Sequence, residues 1–455
     1  MSVKKYHFTA IGGSVMHNLA IVLKEQGHRV TGTDDEINEP SRSRLAAAGL
    51  LPQAVGWQPA LITTDLDAVI VGMHARADNP EIVKAQSLGV PLVSFPQFIY
   101  DASRNKQRVV VAGSHGKTTI TALIVHVLTF YERTFDYVIG SRVPGLAHSV
   151  RLSESAPVII IEGDEYFSSP LDRTPKFLRY QHHIGVISGI AWDHANVFPT
   201  EDDYIKQFDA FADATPKGGL LVFNELDGIA AVLCNKDRPD VLHVPYKTHP
   251  YEIENGRVML VSSNKEKIPL KVFGRHNLLN IAAAKEVLKK IGITAEQFYR
   301  AMPSFVGAAG RLEKLRDDGH LVVFKDFAHA PSKVKATTEA VKELYPERPL
   351  TGVLELHTFS SLQPSFLPNY KNTMKACSEA IIFVDPEKVK TKGSAIHANM
   401  IRDAFQHPRL HVVESAETLR EMVTARNWTN QCLLLMSSGT FGNTDLSHLS
   451  TQLKA

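Results

Sequence analysis

Apolar positions along this chain alternate between two periods, and the alternation sets the first expectation of its fold. YHFTAI is a short run of strand length ending at Gly12-Gly13, and MHNLAIVLKEQ then carries apolar residues at helical spacing until Gly27. RVTGTD, DAVIVG and VPLVSF follow as further strand-length runs before residue 100. A second series starts near Arg108, with VVVA, PVIIIEGDE, IGVISGI and GGLLVFN as strands, and NLLNIAAAKEVLKKIG as an amphipathic helix stopped by Gly292. A third series starts near Arg311: LVVFKDFA, LTGVLELH, AIIFVD and CLLLMSSG, with helical VKATTEAVKELY between the first two. Strand and helix in regular alternation predict an α/β chain of doubly wound, mostly parallel sheets. Motif positions place three domains at 1–106, 107–310 and 311–455.

Composition narrows the class without choosing a function. At 455 residues the chain is too long for one hydrophobic core. A net charge of +2 gives no reason to expect nucleic acid or an anionic membrane as partner. The three cysteines, Cys234, Cys377 and Cys432, form no C-x-x-C pair, which argues against a disulfide framework and for a reducing compartment. No apolar run approaches the ~20 residues of a membrane span, and MSVKKYHFTAIGG has no signal-peptide pattern. A cytoplasmic, multidomain protein without an obligate protein partner is the expectation.

The most informative stretch is VVVAGSHGKTTITALIVHVL, residues 109–128. A strand leads into Gly113-Ser114-His115-Gly116-Lys117-Thr118-Thr119, and a helix pattern follows. Phosphate binding needs glycines where backbone N–H groups must converge, a helix N-terminus facing the anion, a lysine for the β/γ phosphates and a hydroxyl for Mg²⁺. All are present in order, except that Val111 stands where the full pattern has its first glycine. An ordinary strand–turn–helix leaves Lys117 unexplained, because a cation at a helix N-terminus opposes the dipole. The reading is therefore a shortened phosphate loop that binds ATP with Mg²⁺.

Other candidates are each open to a plain structural role. Glu162 ends an apolar strand beside that loop, where a carboxylate is placed to hold Mg²⁺, with Asp164 and Glu165 as substitutes. His194 and Asp193 follow another apolar strand, and a lone histidine there is more often structural. Asn277 and Asn280 could simply cap a helix, and Asp326 could cap the segment after LVVFK. Gly12-Gly13 is weaker than a dinucleotide fingerprint, yet Asp34 and Asp35 end the second strand where a Rossmann-like site reads a ribose or a base edge. Asn79-Pro80-Glu81 and Pro96-Gln97 also suit turns.

Taken in order, G-S-H-G-K-T-T (113–119), I-E-G-D-E-Y (161–166), W-D-H-A-N-V-F (192–198), G-R-H-N-L-L-N (274–280), G-R-L-E (310–313), D-F-A-H-A-P (326–331) and M-S-S-G-T-F-G (436–442) resemble the Mur ligases over essentially the whole chain. These ligases join amino acids or peptides to UDP-N-acetylmuramate with ATP. The resemblance implies a Rossmann-like N-terminal domain, a central ATPase domain and a Rossmann-like C-terminal domain. It also implies γ-phosphoryl transfer to the lactyl carboxylate, then attack by an amine. Lys117, Glu162, His194 and Arg311 would be catalytic, with Thr118, Glu162 and His194 on the metals. Asn277, Asn280, Arg311, Asp326 and His329 would join Gly113–Thr119 around ATP. Gly12, Gly13, Asp34, Asp35, Asn79 and Gln97 would hold the UDP part, and His357 would face the amine.

Within the family, VSFPQFIYD (93–101), IEGDEYFSSPLDRTPKFLRYQHH (161–183) and KDFAHAP resemble members that take the tripeptide L-alanyl-γ-D-glutamyl-meso-diaminopimelate. Two stretches depart from that branch. Ala330 replaces a histidine, and ELHTFSS (355–361) resembles members that add L-alanine. A Rossmann dehydrogenase would not explain the loop at 113–119, a non-catalytic nucleotide binder would not require Glu162, His194 and Arg311 together, and a folylpolyglutamate synthase would lack the first domain.

Overall fold

The computed structural model describes residues 2–141, 143–192, 197–254, 256–307 and 311–455. Three parallel or mostly parallel sheets follow one another along the chain. The first holds β1 (Lys5–Thr9), β2 (Arg29–Thr33), β3 (Ala68–Val71) and β4 (Leu92–Ser94) in the order β2-β1-β3-β4, all parallel. Helix α1 (Met16–Glu25) follows β1, and α2 (Ser41–Ala47), α3 (Pro80–Leu88) and α4 (Phe95–Ala102) complete this region. The expected strand VPLVSF is shorter than its apolar run. Ser94 accepts from Gln97 N–H, and Phe95-Pro96 opens α4, so the cap ends the strand early.

The second sheet holds β5 (Gln107–Ala112), β6 (Asp136–Val138), β7 (Val150–Arg151), β8 (Val158–Glu162), β11 (Ile184–Ile187), β12 (Leu220–Asn224) and β13 (Leu242–Tyr246). Their order is β13-β12-β11-β5-β8-β6-β7. Between β8 and β11 lie a two-stranded hairpin, β9 (Phe167–Ser169) with β10 (Asp172–Pro175), and a single helical turn, α6 (Lys176–Arg179). Helix α5 (Lys117–Phe130) follows β5. Val109, Val110, Val111, Ile159, Ile160 and Ile161 are wholly buried. That fits central parallel strands covered on both faces, and explains why their sequences read as unbroken apolar runs.

A small antiparallel sheet follows: β14 (Tyr251–Glu254), β15 (Arg257–Val261) and β16 (Lys267–Pro269). The helix Arg275–Lys290 covers the amphipathic stretch predicted at 277–292. The last sheet holds β17 (Glu313–Asp317), β18 (Leu321–Asp326), β19 (Leu350–Leu356), β20 (Glu379–Val384), β21 (Leu410–Val413) and β22 (Gln431–Met436). Its order is β17-β18-β22-β19-β20-β21, parallel except for β17. Leu321, Val353, Ile381, Trp428 and Leu433 lie in its core.

By packing, the chain divides into two compact units. One comprises Met1–Ile190, Ile205–Lys247 and Ala283–Phe298; the other comprises Ala191–Tyr204, Thr248–Ala282 and Tyr299–Ala455. Among the described residues no helix is long and apolar enough to cross a membrane.

Candidate active site

The phosphate loop is built where β5 ends. Val111 lies inside the strand, paired with Ile187's neighbour Val186 on one side and with Glu162 on the other, so the loop begins at Gly113. Gly113 has φ +128°, and a Cβ there would stand 2.1 Å from Ser188 Oγ. Gly116 has φ +77° and immediately precedes α5. Both backbones need glycine: one for conformation and closeness, the other for the left-handed turn into the helix. Ser114 N–H donates to Gly189 O (2.9 Å), and Ser188 Oγ donates to His115 O, so the end of β11 braces the loop. Thr119 is buried in the first turn of α5.

Register then sets the chemistry. The β5–β8 pairing puts Glu162 level with Val111, at the strand end beside the loop. Thr118 Oγ1 donates to Glu162 Oε1 (2.6 Å), and Gly140 N–H donates to Glu162 Oε2 (2.7 Å). A hydroxyl and a carboxylate oxygen thus stand together at the mouth of a phosphate loop. Mg²⁺ takes such hard oxygens and completes its shell with phosphate and water, so the pair fits it. Among the described residues no group of three or more His, Cys, Asp or Glu gathers into a metal cage. His194, expected on a second metal, lies outside the described residues, as does Asp193.

Lys117 Nζ donates to Gly113 O and to Glu165 Oε2, both at 2.7 Å. Glu165 is wholly buried. Burial alone would lower the Lys117 pKa, but Glu165, Asp164 and Glu162 outweigh it and hold the pKa above its usual value. Asp164 is itself paired with Lys176 Nζ (2.7 Å). The sequence offered Asp164 and Glu165 only as stand-ins for Glu162. Here Glu165 is the lysine's partner and Glu162 the hydroxyl's.

At the end of β1, Gly12 N–H donates to Asp34 Oδ2 (2.7 Å), and a Cβ on Gly12 would meet that oxygen at 2.9 Å. Gly13 O is met by His17 Nδ1 (2.9 Å). Burial raises the Asp34 pKa to about 6, with the Gly12 N–H opposing and Asp35 adding to the rise. Asp35 is exposed beside it. Asn79 caps α3 by accepting from Glu81 N–H (2.9 Å), and Gln97 Nε2 donates to Asp101 Oδ1 (3.2 Å). Gln97 also lines a cavity of about 340 Å³ with Ser94, Asp172 and Arg179. The sequence singled out Asn79-Pro80-Glu81 as a turn or a UDP contact, without a buried role for Glu81. It is wholly buried and accepts from Thr33 Oγ1, Gln58 N–H and Thr9 Oγ1, with His7 Nε2 at 3.2 Å.

The other predicted residues belong to the second compact unit. Asp326 accepts from Leu312 N–H, Phe327 N–H and Thr337 Oγ1, so its carboxylate orders the turn after β18. Arg311 lies over the Phe327 ring, 4.5 Å from its centroid. His276 is driven towards its neutral form by burial, with Asp326 opposing and Arg311 assisting. Asn277 and Asn280 are buried on the helix Arg275–Lys290, and Asn277 Nδ2 donates to Phe273 O (2.8 Å). His329 Nδ1 meets Phe327 O (2.9 Å). His357 follows β19, where Gly439 has no room for a Cβ because the imidazole would be 2.2 Å away. Its neighbour Glu355 is buried and accepts from Phe441 N–H (2.9 Å) and Lys388 Nζ (3.1 Å).

A mostly parallel sheet carrying this glycine-bounded loop, with a lysine and a hydroxyl–carboxylate pair beside it, is the arrangement a nucleotide-binding α/β protein would need. Two family models match the chain: the Mur ligase family catalytic domain over residues 5–107, and the Mur ligase middle domain over 111–288. A UDP-N-acetylmuramate–L-alanine ligase of Carboxydothermus hydrogenoformans is 29% identical over 400 residues, covering 85% of this chain and 81% of that protein. The structure of a UDP-N-acetylmuramate-alanine ligase from Thermotoga maritima superposes with a TM-score of 0.72 at 20% identity, covering 98% and 99% of the two chains. A UDP-N-acetylmuramate:L-alanyl-gamma-D-glutamyl-meso-diaminopimelate ligase from Neisseria meningitides gives a TM-score of 0.60 at 25% identity, covering 67% of this chain and 98% of that one. The chain belongs to the Mur ligase family, whose members are ATP-dependent ligases of amide bonds in peptidoglycan metabolism.

Proposed function

We propose that this ligase phosphorylates the lactyl carboxylate of UDP-N-acetylmuramate with ATP and joins it to L-alanyl-γ-D-glutamyl-meso-diaminopimelate, in peptidoglycan recycling. The observation that carries the ATP reading is the pairing of Glu162 with Thr118 and Gly140 beside Lys117. In this reading residues 1–106 hold the UDP part through the Gly12–Gly13 turn, Asp34, Asp35, Asn79 and Gln97. Residues 107–310 hold ATP through Gly113–Thr119, and residues 311–455 bring Arg311, Asp326 and His329 to the nucleotide and His357 to the amine. Asn277 and Asn280 contact the adenosine.

Thr118 and Glu162 would hold Mg²⁺, with His194 on a second ion; bound there, the metal neutralises charge on the phosphates. Lys117 transfers its ammonium from Glu165 to the β/γ phosphates and, with the N-terminal N–H groups of α5, stabilises the charge that builds during transfer. The acyl phosphate forms on the substrate as ADP leaves. The amine then attacks its carbonyl carbon, loses a proton and expels phosphate. Exclusion of water protects the acyl phosphate from hydrolysis.

Support for the tripeptide comes from the segment 161–183, which forms a hairpin and a turn and walls the cavity containing Gln97. Lys176 and Arg179 are already paired with Asp164 and Asp172, which leaves Arg173 as an exposed base of the segment. L-alanine is the second reading, favoured by ELHTFSS and by the likeness to the Carboxydothermus UDP-N-acetylmuramate–L-alanine ligase. The test is phosphate release with ATP, Mg²⁺ and UDP-N-acetylmuramate, comparing the two amines. Turnover with the tripeptide alone is the expected result. Turnover with L-alanine alone overturns the choice of amine, and no turnover with either overturns both choices and points to another amine or a non-catalytic relative.

A further inference from the structure

Gly140 lies in the segment after β6 and is held from two sides. Its N–H donates to Glu162 Oε2 (2.7 Å), while its carbonyl accepts from Ser14 Oγ (3.0 Å), the residue that follows the Gly12–Gly13 turn. Helix α1, which starts just after Ser14, grips this segment again further along. Ser149 N–H donates to Asn18 Oδ1 (3.2 Å), and Ile139 N–H donates to Ser149 O (2.8 Å). Asn18 Nδ2 returns to Ser14 O (2.8 Å), closing the circuit on α1. Gln26 Nε2 adds a bond to Leu152 O (2.7 Å), and the Arg44 guanidinium donates to Ala147 O. Every one of these residues belongs to the first compact unit.

Gly140 is not a glycine for the sake of its backbone, since its φ lies outside the left-handed region. What a side chain would meet is a tight contact: a Cβ would stand 3.3 Å from Glu162 Oε2 and 3.4 Å from the carboxyl carbon, so the carboxylate would have to give a little. The carboxylate is therefore aimed by two contacts, Thr118 on one oxygen and Gly140 on the other. The second contact is fixed in turn by the hydroxyl beside the Gly12–Gly13 turn.

We infer that Ser14, Asn18 and Gly140 are positioning residues that couple occupancy of the Gly12–Gly13 turn to the aim of Glu162, and hence to Mg²⁺–nucleotide affinity at the phosphate loop. A ligand that orders the turn orders Ser14. Ser14 holds the Gly140 peptides, and Gly140 N–H holds Glu162 so that its other oxygen stays beside the Thr118 hydroxyl. Linkage requires the effect to be mutual, so nucleotide at the loop tightens the turn by the same factor. This inference rests on the assignment of the two sites proposed above.

The experiment is calorimetric titration of Mg²⁺·AMP-PNP with and without saturating UDP-N-acetylmuramate, for the wild type, Ser14→Ala, Ser14→Thr and Gly140→Ala. In the wild type the UDP-sugar tightens the nucleotide by about fivefold or more, the low end of ordinary coupling. Ser14→Ala leaves each ligand's separate affinity within about twofold and brings the coupling factor close to one, because one hydrogen bond of ordinary strength is lost. Ser14→Thr keeps the hydroxyl and restores coupling. Gly140→Ala weakens Mg²⁺·AMP-PNP alone by about fivefold while the thermal midpoint stays put. No coupling in the wild type, or full coupling in Ser14→Ala, overturns the inference. A fall in thermal midpoint with coupling intact also overturns it and makes these bonds simple glue between α1 and the segment 139–152. Failure of UDP-N-acetylmuramate to bind the wild type at all overturns the substrate assignment instead, and this inference with it.

Discussion

Glu81→Gln is expected to loosen the first sheet from within. The wild-type carboxylate is wholly buried and accepts from Thr33 Oγ1 at 2.5 Å, Gln58 N–H at 2.7 Å and Thr9 Oγ1 at 3.0 Å, with His7 Nε2 at 3.2 Å. These four groups come from β1, β2 and the segment before β3, so one side chain ties the sheet together. The substitution keeps the shape and removes the charge. Bonds to a charged group contribute about 1.5–3 kcal/mol net and neutral ones about 0.5–1.5, so weakening four bonds by about 0.5–1 each costs roughly 2–4 kcal/mol. Hydrogen exchange at residues 5–9, 29–33 and Gln58 reports the opening directly. At about 1.4 kcal/mol per tenfold, exchange there accelerates by roughly 30-fold or more, with the last sheet unaffected. Acceleration of less than about threefold would refute the argument. Burial raises the Glu81 pKa, yet the bonds from His7, Thr33 and Gln58 outweigh it and the net shift is downward. Its contribution is therefore present above the usual carboxylate value of 4.5 and lost as the pH falls below it, and Glu81→Gln should abolish that acid sensitivity.

Three further predictions test the loop and the turn. Lys117→Met takes the ammonium from the buried Glu165 and should cost about 3 kcal/mol as well as nucleotide binding; adding Glu165→Gln should restore the urea midpoint but not the binding, and recovery of both would contradict the assignment of Lys117. Gly113→Ala meets Ser188 Oγ at 2.1 Å and φ +128°, so about 2–4 kcal/mol of stability and measurable ATP affinity should both be lost, as followed by urea unfolding and calorimetry. Asp34 is raised to about 6 from 3.8, so it favours the folded state fully below about pH 4 and loses that contribution as the pH rises through 6. Asp34→Asn should flatten thermal stability across that window, and an unchanged profile would show that Asp34 does not titrate there.

The parts of this site that the sequence disclosed are those whose evidence is local. Gly113, Gly116, Lys117 and Thr118 lie within six positions, and their spacing states a loop entering a helix. Glu162 was legible because it ends an unbroken apolar run. The Lys117–Glu165 pair was not, since the partners are 48 positions apart and meet through the β5–β8 register. Glu81 read only as part of the Asn79-Pro80-Glu81 turn; the packing of α3 on β1 and β2 reveals what it accepts. Strands β17 and β21 escaped for a different reason. EKLRD and LHVV lie towards the sheet edges and keep exposed or half-buried positions, so their apolar signal is thin.

The Lys117–Glu165 bond also bears on which anions this loop admits. Any anion entering the loop must draw the ammonium away from a carboxylate that is already in contact with it at 2.7 Å. Inorganic phosphate brings one small group and no metal, and offers Lys117 little that Glu165 does not. In the proposed reading a nucleoside triphosphate would bring several charged oxygens and a cation for Thr118 and Glu162, and so would displace the resident carboxylate. On the proposed assignment of this loop to ATP, Glu165 would be a built-in competitor against weak anions.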